Sequence, residues 1–399
     1  MKKTFLVTTS ILVLLLSIIL INSCKVDNNK NDYLRKVLNN LDKIKSANYF
    51  STESYSAPYD TVVFLSRNLY LKEYTNPTDT FIGSSFATFE QPDTSKMKWL
   101  YDGTSITYLN WDEKTIEINN FQNNTLPFRP LGAPFFNYTK SIIKYALETK
   151  DSISTYLEDF GDSIQFSLII HDKAVGFFGK PYYLNTIYNP LNARYDIWIN
   201  KSDNLPYRYK RNTLVNVSWI SCNNVKLNKN KIEDFTISKY IPSDFTTQTR
   251  ENQKKAKIDL VGKIAPDWFL KDGNNNIIGL KDLKSKVIMI QFSGIGCGPC
   301  HMSIPFLKKL VADYKDKDFE FVSIEAWSKN IDGINRYQNN NDLNYKFLMS
   351  TEEVTKSYQV KLVPTFYILD KNRVIRKAIE GYGEGTTDKE IKDALNELI

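Results

Sequence analysis

Cys297 and Cys300 are the residues best placed by type and spacing to do chemistry. They enclose Gly298 and Pro299 in a Cys-Gly-Pro-Cys run. The run directly follows the apolar stretch Lys286-Val287-Ile288-Met289-Ile290-Gln291-Phe292, which reads as a strand buried on both faces, and it opens a helical pattern over 299–314. The amides of a helix's first turn have no intrahelical partner and the macrodipole is positive there, so a thiolate at that end is stabilised. Such an environment lowers a thiol pKa from about 8.5 toward neutrality. Two intervening residues bring the second sulfur within reach of the first. Pro299 suits the first helical turn because its missing N–H is not needed there. The pattern assigns Cys297 as the nucleophile of thiol–disulfide exchange and Cys300 as the more buried, resolving thiol.

Four cysteines in 399 residues, with Cys24 and Cys222 as the other two, do not make a disulfide scaffold. Cys222 ends the strand-like run Val217-Ser218-Trp219-Ile220-Ser221-Cys222 and reads as a buried small hydrophobe. Cys297-x-x-Cys300-His301 also fits a c-type haem attachment pattern, but only His171 and His301 are present and the flanking strand would then be a coincidence. A peroxidatic cysteine needs Pro and Thr or Ser at fixed positions before it, where Ile290 and Gly294 stand. Two thiolates and one His leave no second zinc knuckle. No cofactor and no metal are expected.

The elements around this site fall into two textures. Leu34, Val37, Leu38, Leu41 and Ile44 form one apolar helical stripe with Asp32 as its cap. From about 48 to 245, short runs rich in β-branched and aromatic residues alternate with turn signals such as Asp102-Gly103 and Gly179-Lys180-Pro181, which predicts a largely antiparallel, curved sheet. Thr246 to Lys257 is polar and reads as a linker. After it, strands and helices alternate: a hairpin around Asp272-Gly273-Asn274, strands at 319–324, 345–349, 365–369 and 374–379, and helices at 331–339, 351–358 and 388–399. Residues 259–399 carry 20 basic and 20 acidic groups, so the net charge of +7 lies wholly in the first 258. That asymmetry supports the boundary. It is too mild for a nucleic-acid partner, and no basic stripe is present.

At the N-terminus, Lys2 and Lys3 precede an uncharged, mostly apolar stretch from Phe5 to Ile21 that ends Ile21-Asn22-Ser23-Cys24. The segment resembles a bacterial lipoprotein signal, which implies lipidation of Cys24; an uncleaved anchor is the alternative. Either places the rest of the chain outside the cytoplasm, in the cell envelope and facing the periplasm or exterior.

Around Cys297 and Cys300 the chain resembles the thioredoxin superfamily, and within it the TlpA/ResA-like tethered oxidoreductases. Matching features run in order along about 140 residues. They are Gly262-Lys263-Ile264-Ala265-Pro266-Asp267-Trp268, Leu280 to Lys286, Pro305, Val363-Pro364-Thr365, Lys371-Asn372-Arg373-Val374-Ile375 and Gly381. The resemblance implies a cis Val363–Pro364 bond facing the disulfide, with Gly298, Pro299, Val363 and Pro364 supporting the site. Three positions depart from the family pattern. Gly296 stands where Trp is usual, Gln291 replaces the buried Asp of cytoplasmic thioredoxins, and Ser303 replaces the acidic residue of many tethered members. Gln and Ser cannot titrate in the useful range. Glu325 and His301 are the candidates to carry the proton instead, solvated surface positions being the plainer alternative for both. More loosely, the helix, the meander and the late Asp196 to Tyr209 segment with Leu205-Pro206 resemble the LolA/LolB-like half-barrel, which implies a possible apolar groove.

The expected organisation is a signal peptide (1–24), a tether (25–32), an α+β domain with a largely antiparallel curved sheet (33–245), a linker (246–258) and an α/β thioredoxin-like domain (259–399). The expected function is extracytoplasmic thiol–disulfide exchange, as a reductase of exported protein disulfides fed by a membrane-linked thiol donor. The alternative is a lipoprotein that binds an apolar or protein ligand in its N-terminal domain, with a regulatory redox domain.

Overall fold

The computed structural model describes residues 29–56, 63–91, 93–121, 132–184, 193–213, 216–249, 259–328 and 330–399. The signal-like segment, Cys24 included, and most of the expected linker lie outside these residues. The chain divides into two compact units.

In the N-terminal unit, helix α1 (29–42) carries the predicted stripe, with Leu34, Val37 and Leu41 buried. Residues 29–32 are already helical, so Asp32 lies within the helix rather than capping it, and the last residues of the expected tether are helical. Strands β1 (Ser46–Ser56), β2 (Val63–Thr75), β3 (Ser84–Glu90), β4 (Met97–Tyr101), β5 (Ile106–Asn110) and β6 (Thr115–Asn119) follow. Then come helix α2 (Phe135–Glu148) and strands β7 (Ile153–Asp159), β8 (Ser163–Ile170), β9 (Ala174–Phe177), β10 (Pro181–Leu184), β11 (Ala193–Asn200), β12 (Leu205–Asn212), β13 (Val217–Leu227) and β14 (Thr246–Thr249). Among the described residues, twelve of these strands form one sheet in the order β14-β6-β5-β4-β3-β2-β1-β13-β12-β11-β8-β7. Pairings such as β2–β3, β4–β5 and β8–β11 are antiparallel. β14 pairs parallel to β6, so Thr246 to Thr249 is an edge strand rather than linker.

Helix α2 corrects the expectation of strands throughout 48–245. Its aromatic and β-branched residues favour strands one by one, yet Phe135, Tyr138, Ile142 and Tyr145 recur at helical spacing and are buried. They pack with α1 against Phe166, Leu168 and Ile170 of β8 and Tyr195, Ile197 and Ile199 of β11. Pro134 precedes the helix without a side-chain cap. The first-turn amides are met from the sheet instead: Phe135 N–H donates to the Tyr49 hydroxyl (2.9 Å) and Phe136 N–H to Glu73 Oε2 (3.4 Å).

The C-terminal unit holds strands β15 (Phe269–Asp272), β16 (Ile277–Gly279) and β17 (Val287–Ser293), helix α3 (Gly298–Asp313), strand β18 (Phe319–Glu325), helix α4 (Ile331–Asn340), strand β19 (Lys346–Met349), helix α5 (Glu352–Ser357), strands β20 (Thr365–Leu369) and β21 (Ile375–Glu380), and helix α6 (Thr386–Asn396). Its seven-stranded sheet runs β16-β15-β19-β18-β17-β20-β21. β17, β18 and β19 are parallel; β20 and β21 are antiparallel to their neighbours. β17 is buried along its whole length, as its continuous apolar run predicts. Ile288, Ile290 and Phe292 pack on one face with Trp268, Tyr358 and Tyr367. Val287 and Met289 pack on the other with Leu307 and Leu310 of α3 and Ile391 and Leu395 of α6. Each such side chain contributes about 1.5–3 kcal/mol by leaving water, which makes β17 a rigid base for the turn and helix beyond it. Among the described residues, no helix is long and apolar enough to cross a membrane.

Candidate functional site

The site grows from the C-terminal ends of β17 and β18. These strands run parallel in a register that sets Ser293 beside Glu325, and in such sheets sites form beyond the carboxyl ends of the strands. The chain leaves β17 through a tight turn in which Cys297 N–H donates to the Gly294 carbonyl (3.0 Å). Gly296 within it has φ +88°, a conformation that costs glycine little and other residues more. A Trp held in this same conformation would be strained.

Cys297 is the N-cap of α3, and its Sγ accepts from the Cys300 N–H at 3.1 Å. Gly298 and Pro299 form the first turn between them. The two sulfurs are bonded to each other, and both residues are buried, Cys297 at 5% and Cys300 at 2% exposed. Val363–Pro364 is cis, and Cys297 Sγ lies 3.6 Å from the Val363 carbonyl oxygen. The Pro364 carbonyl accepts from Gly381 N–H (2.7 Å), so the matching glycine just past the last strand secures this segment. The structure thus gathers Cys297, Gly298, Pro299, Cys300, Val363 and Pro364 at one point.

The two positions lacking a carboxyl group are connected. Gln291 Nε2 donates to Ser303 Oγ (3.1 Å), Ser303 Oγ donates to the Cys300 carbonyl (2.7 Å), and Ser323 Oγ donates to Gln291 Oε1 (2.8 Å). A chain of neutral groups therefore runs beneath the buried cysteine.

Glu325 is not a solvated surface group: it is 0% exposed. Its Oε2 accepts from Ile295 N–H (2.6 Å), and its Oε1 accepts from Trp327 N–H (2.8 Å) and Ser328 N–H (2.6 Å). The carboxylate ties the turn before Cys297 to the turn after β18. His301 follows Cys300 in α3 and is partly buried; burial pushes its imidazole below its ordinary pKa and favours the neutral ring.

One neighbour escaped the sequence. Trp327 lies against Gly294, where a Cβ would come within 2.6 Å of the indole. The only available signal was its place two residues past the end of a parallel strand. Among the described residues, no group of three or more His, Cys, Asp or Glu is arranged to hold a metal ion.

The family described as Redoxin matches residues 260–396. The thiol-disulfide oxidoreductase ResA of Bacillus cereus is 29% identical over 156 residues, spanning 39% of this chain and 85% of that protein. ResA of Bacillus thuringiensis subsp. konkukian is 30% identical over 147 residues, 37% of this chain and 80% of that one. The thioredoxin-like protein YneN of Bacillus subtilis is 30% identical over 139 residues, 34% and 78% respectively. Fold, paired cysteines and relatives agree: through its C-terminal residues the chain belongs to the ResA-like thiol–disulfide oxidoreductases of the thioredoxin superfamily.

Proposed function

We propose that the chain is an extracytoplasmic reductase of disulfides in exported proteins, held to a membrane by lipidated Cys24. The observation that carries this reading is Cys297 at the N-terminus of α3, bonded to Cys300 and beside Val363. In the reduced state the Cys297 thiolate attacks one sulfur of a substrate disulfide. A mixed disulfide forms and one substrate sulfur leaves as a thiolate, which takes a proton. The Cys300 thiolate then attacks Cys297 Sγ, the second substrate thiol is released, and the Cys297–Cys300 disulfide remains. The substrate has gained two electrons and the enzyme pair has lost them. A membrane-linked thiol donor returns them by the reverse exchange. Gly298, Pro299, Val363 and Pro364 shape the site. The solvent carries protons, with His301, next to Cys300 in the chain, as the side-chain candidate, because the carboxylate of Glu325 is engaged by three amides.

On this reading the chain comprises a signal peptide to Cys24, a sheet-rich domain reaching at least Thr249 that we assign to the LolA/LolB-like half-barrels, a linker before residue 259, and the redox domain from 259. The largely antiparallel pairing of the sheet, with α1 and α2 packed against it, supports that assignment.

Trapping tests the function. Cys300→Ser, expressed in the cell envelope, should retain substrates as mixed disulfides on Cys297 that dithiothreitol releases, and Cys297→Ser should retain none. Equal capture by both variants, or none by either, overturns the proposal. Cys24→Ala should move the chain out of the membrane fraction, and an unchanged distribution removes the lipid anchor.

A further inference from the structure

We infer that Trp327 is a specificity residue of the redox site: its indole seats an apolar side chain next to the cysteine of an extended, disulfide-bonded protein substrate, and Glu325 positions it there. The inference rests on the oxidoreductase reading and deepens it.

Trp327 is 49% exposed although it lies just past the buried strand β18. A large indole left half in water is an unsatisfied apolar surface, and such surfaces mark binding sites when they are grouped and held in place. Trp327 is held. Its backbone N–H donates to Glu325 Oε1, Ala326 N–H donates to the Ser293 carbonyl (2.8 Å), and the indole lies on Gly294. Gly294 in turn accepts from the Cys297 N–H. The path from indole to reactive cysteine is therefore one backbone hydrogen bond and one van der Waals contact. The same carboxylate takes Ile295 N–H on the cysteine side and Trp327 N–H on the indole side, so Glu325 fixes the two turns against each other. Rigid aromatic surface with little conformational entropy to lose is what makes Trp effective at interfaces.

The chemistry of the occupant is set by the other exposed groups here. Leu362, next to the Val363 whose carbonyl faces Cys297 Sγ, is 45% exposed, and Met302, two residues past Cys300, is 38% exposed. They are exposed apolar residues close to the redox residues in the chain and, with Trp327, lie on three separate segments: the β18–α4 turn, α3, and the run into β20. Buried Cys297 can react only with a chain that comes down onto this surface, so the residue flanking the substrate cysteine meets it.

The test uses the full chain, reduced, and two disulfide-linked peptides identical except that the residue beside the cysteine is Phe in one and Ser in the other. The wild type should prefer the Phe peptide in kcat/KM on the order of tenfold. Trp327→Ala should erase that preference, with the loss concentrated in KM for the Phe peptide, and Trp327→Phe should restore most of it. Gly294→Ala, whose new methyl displaces the indole without removing it, should also lower the preference. Glu325→Gln should lower it by freeing the turn. Should Trp327→Ala fail to fold, Gly294→Ala decides. A preference that survives both variants, or an equal fall in kcat for both peptides, overturns the role of Trp327. A wild type that reduces oxidised glutathione yet shows no preference overturns this inference alone, and one inert toward all three disulfides overturns the oxidoreductase reading with it.

Discussion

Gln291 Nε2 donates to Ser303 Oγ across 3.1 Å, joining the central strand to the active-site helix directly beneath Cys300. Both side chains are buried, at 2% and 0% exposed. Ser303 passes the connection to the Cys300 carbonyl, and Ser323 closes the other end on Gln291 Oε1. These are neutral groups where a carboxylate would repel a developing thiolate. Gln291→Ala removes both hydrogen bonds of the amide and leaves a void. It should destabilise the redox domain by about 1–3 kcal/mol in urea titration and leave the midpoint of the pH–rate profile in place. A shifted midpoint shows that the hydrogen bonds of this amide tune the ionisation of the thiols.

Ser303→Glu sets a carboxyl group into the same contact. Once ionised it disfavours the thiolate, so the thiol ionisation that controls disulfide reduction should move to higher pH and the rate near neutral pH should fall. The wild type should show one main ionisation, below the roughly 8.5 of a free thiol. Stopped-flow reduction of a peptide disulfide across pH reads both profiles, and coincident curves exclude coupling between position 303 and the thiols.

The two active-site thiols should differ in rate. Cys297 caps the helix and accepts the Cys300 amide, whereas Cys300 lies deeper, at the far end of the first turn. After reduction, iodoacetamide at neutral pH should modify Cys297 first. Cys297→Ser should abolish reduction, and Cys300→Ser should keep a single attack without turnover. Faster labelling of Cys300 reverses the assignment of roles.

How far the sequence reached depended on whether a residue's neighbours were local. β17 and the start of α3 were legible because an apolar run buried on both faces and a proline in a first helical turn declare themselves within a few residues. The cis Val363–Pro364 bond came through the family resemblance, not from local chemistry. Glu325 was named as a candidate to carry the proton, but its burial was hidden, because a carboxylate at a strand end looks solvated until the β17–β18 register sets it opposite Ser293 and three amides turn toward it. Trp327 was hidden for the same reason. In the N-terminal unit, α2 was lost among strand-forming aromatics, and its caps come from Tyr49 and Glu73, 86 and 63 residues away. The helical residues 29–32 and the edge strand Thr246–Thr249 were missed in polar stretches, where composition alone reads as tether or linker.

Cys222 should be chemically silent. It is 6% exposed, lies in the core with Leu41 and Ile220, and burial pushes its thiol pKa up. A buried, neutral thiol does not meet an alkylating reagent. In the reduced native chain Cys297 and Cys300 should be modified and Cys222 should not, until denaturant opens the N-terminal unit. Rapid native labelling of Cys222, mapped by peptide mass, contradicts this burial.

That silence makes Cys222 a probe for Glu73. The Glu73 carboxyl group is buried on β2 and accepts from the Tyr49 hydroxyl (2.9 Å) and Phe136 N–H. Desolvation pushes its pKa up to about 8, against the opposing pull of those hydrogen bonds. A cavity of 200 Å³ lined by Glu73, Asn137, Lys140 and Lys144 adjoins it. The folded pKa lies above the unfolded value of about 4.3, so between the two the native state binds the extra proton. Stability is therefore greatest below the unfolded pKa, declines by about 1.4 kcal/mol per pH unit as pH rises, and levels off above the folded pKa. Glu73→Gln keeps an acceptor for Tyr49 and Phe136 and removes the titration. Urea midpoints read by Cys222 alkylation at pH 6, 7 and 8 should fall for the wild type and change much less for the variant, which becomes the more stable of the two toward pH 8. Parallel pH dependence in both chains means that Glu73 is already ionised in the folded state, and that the amides at the start of α2 compensate its burial.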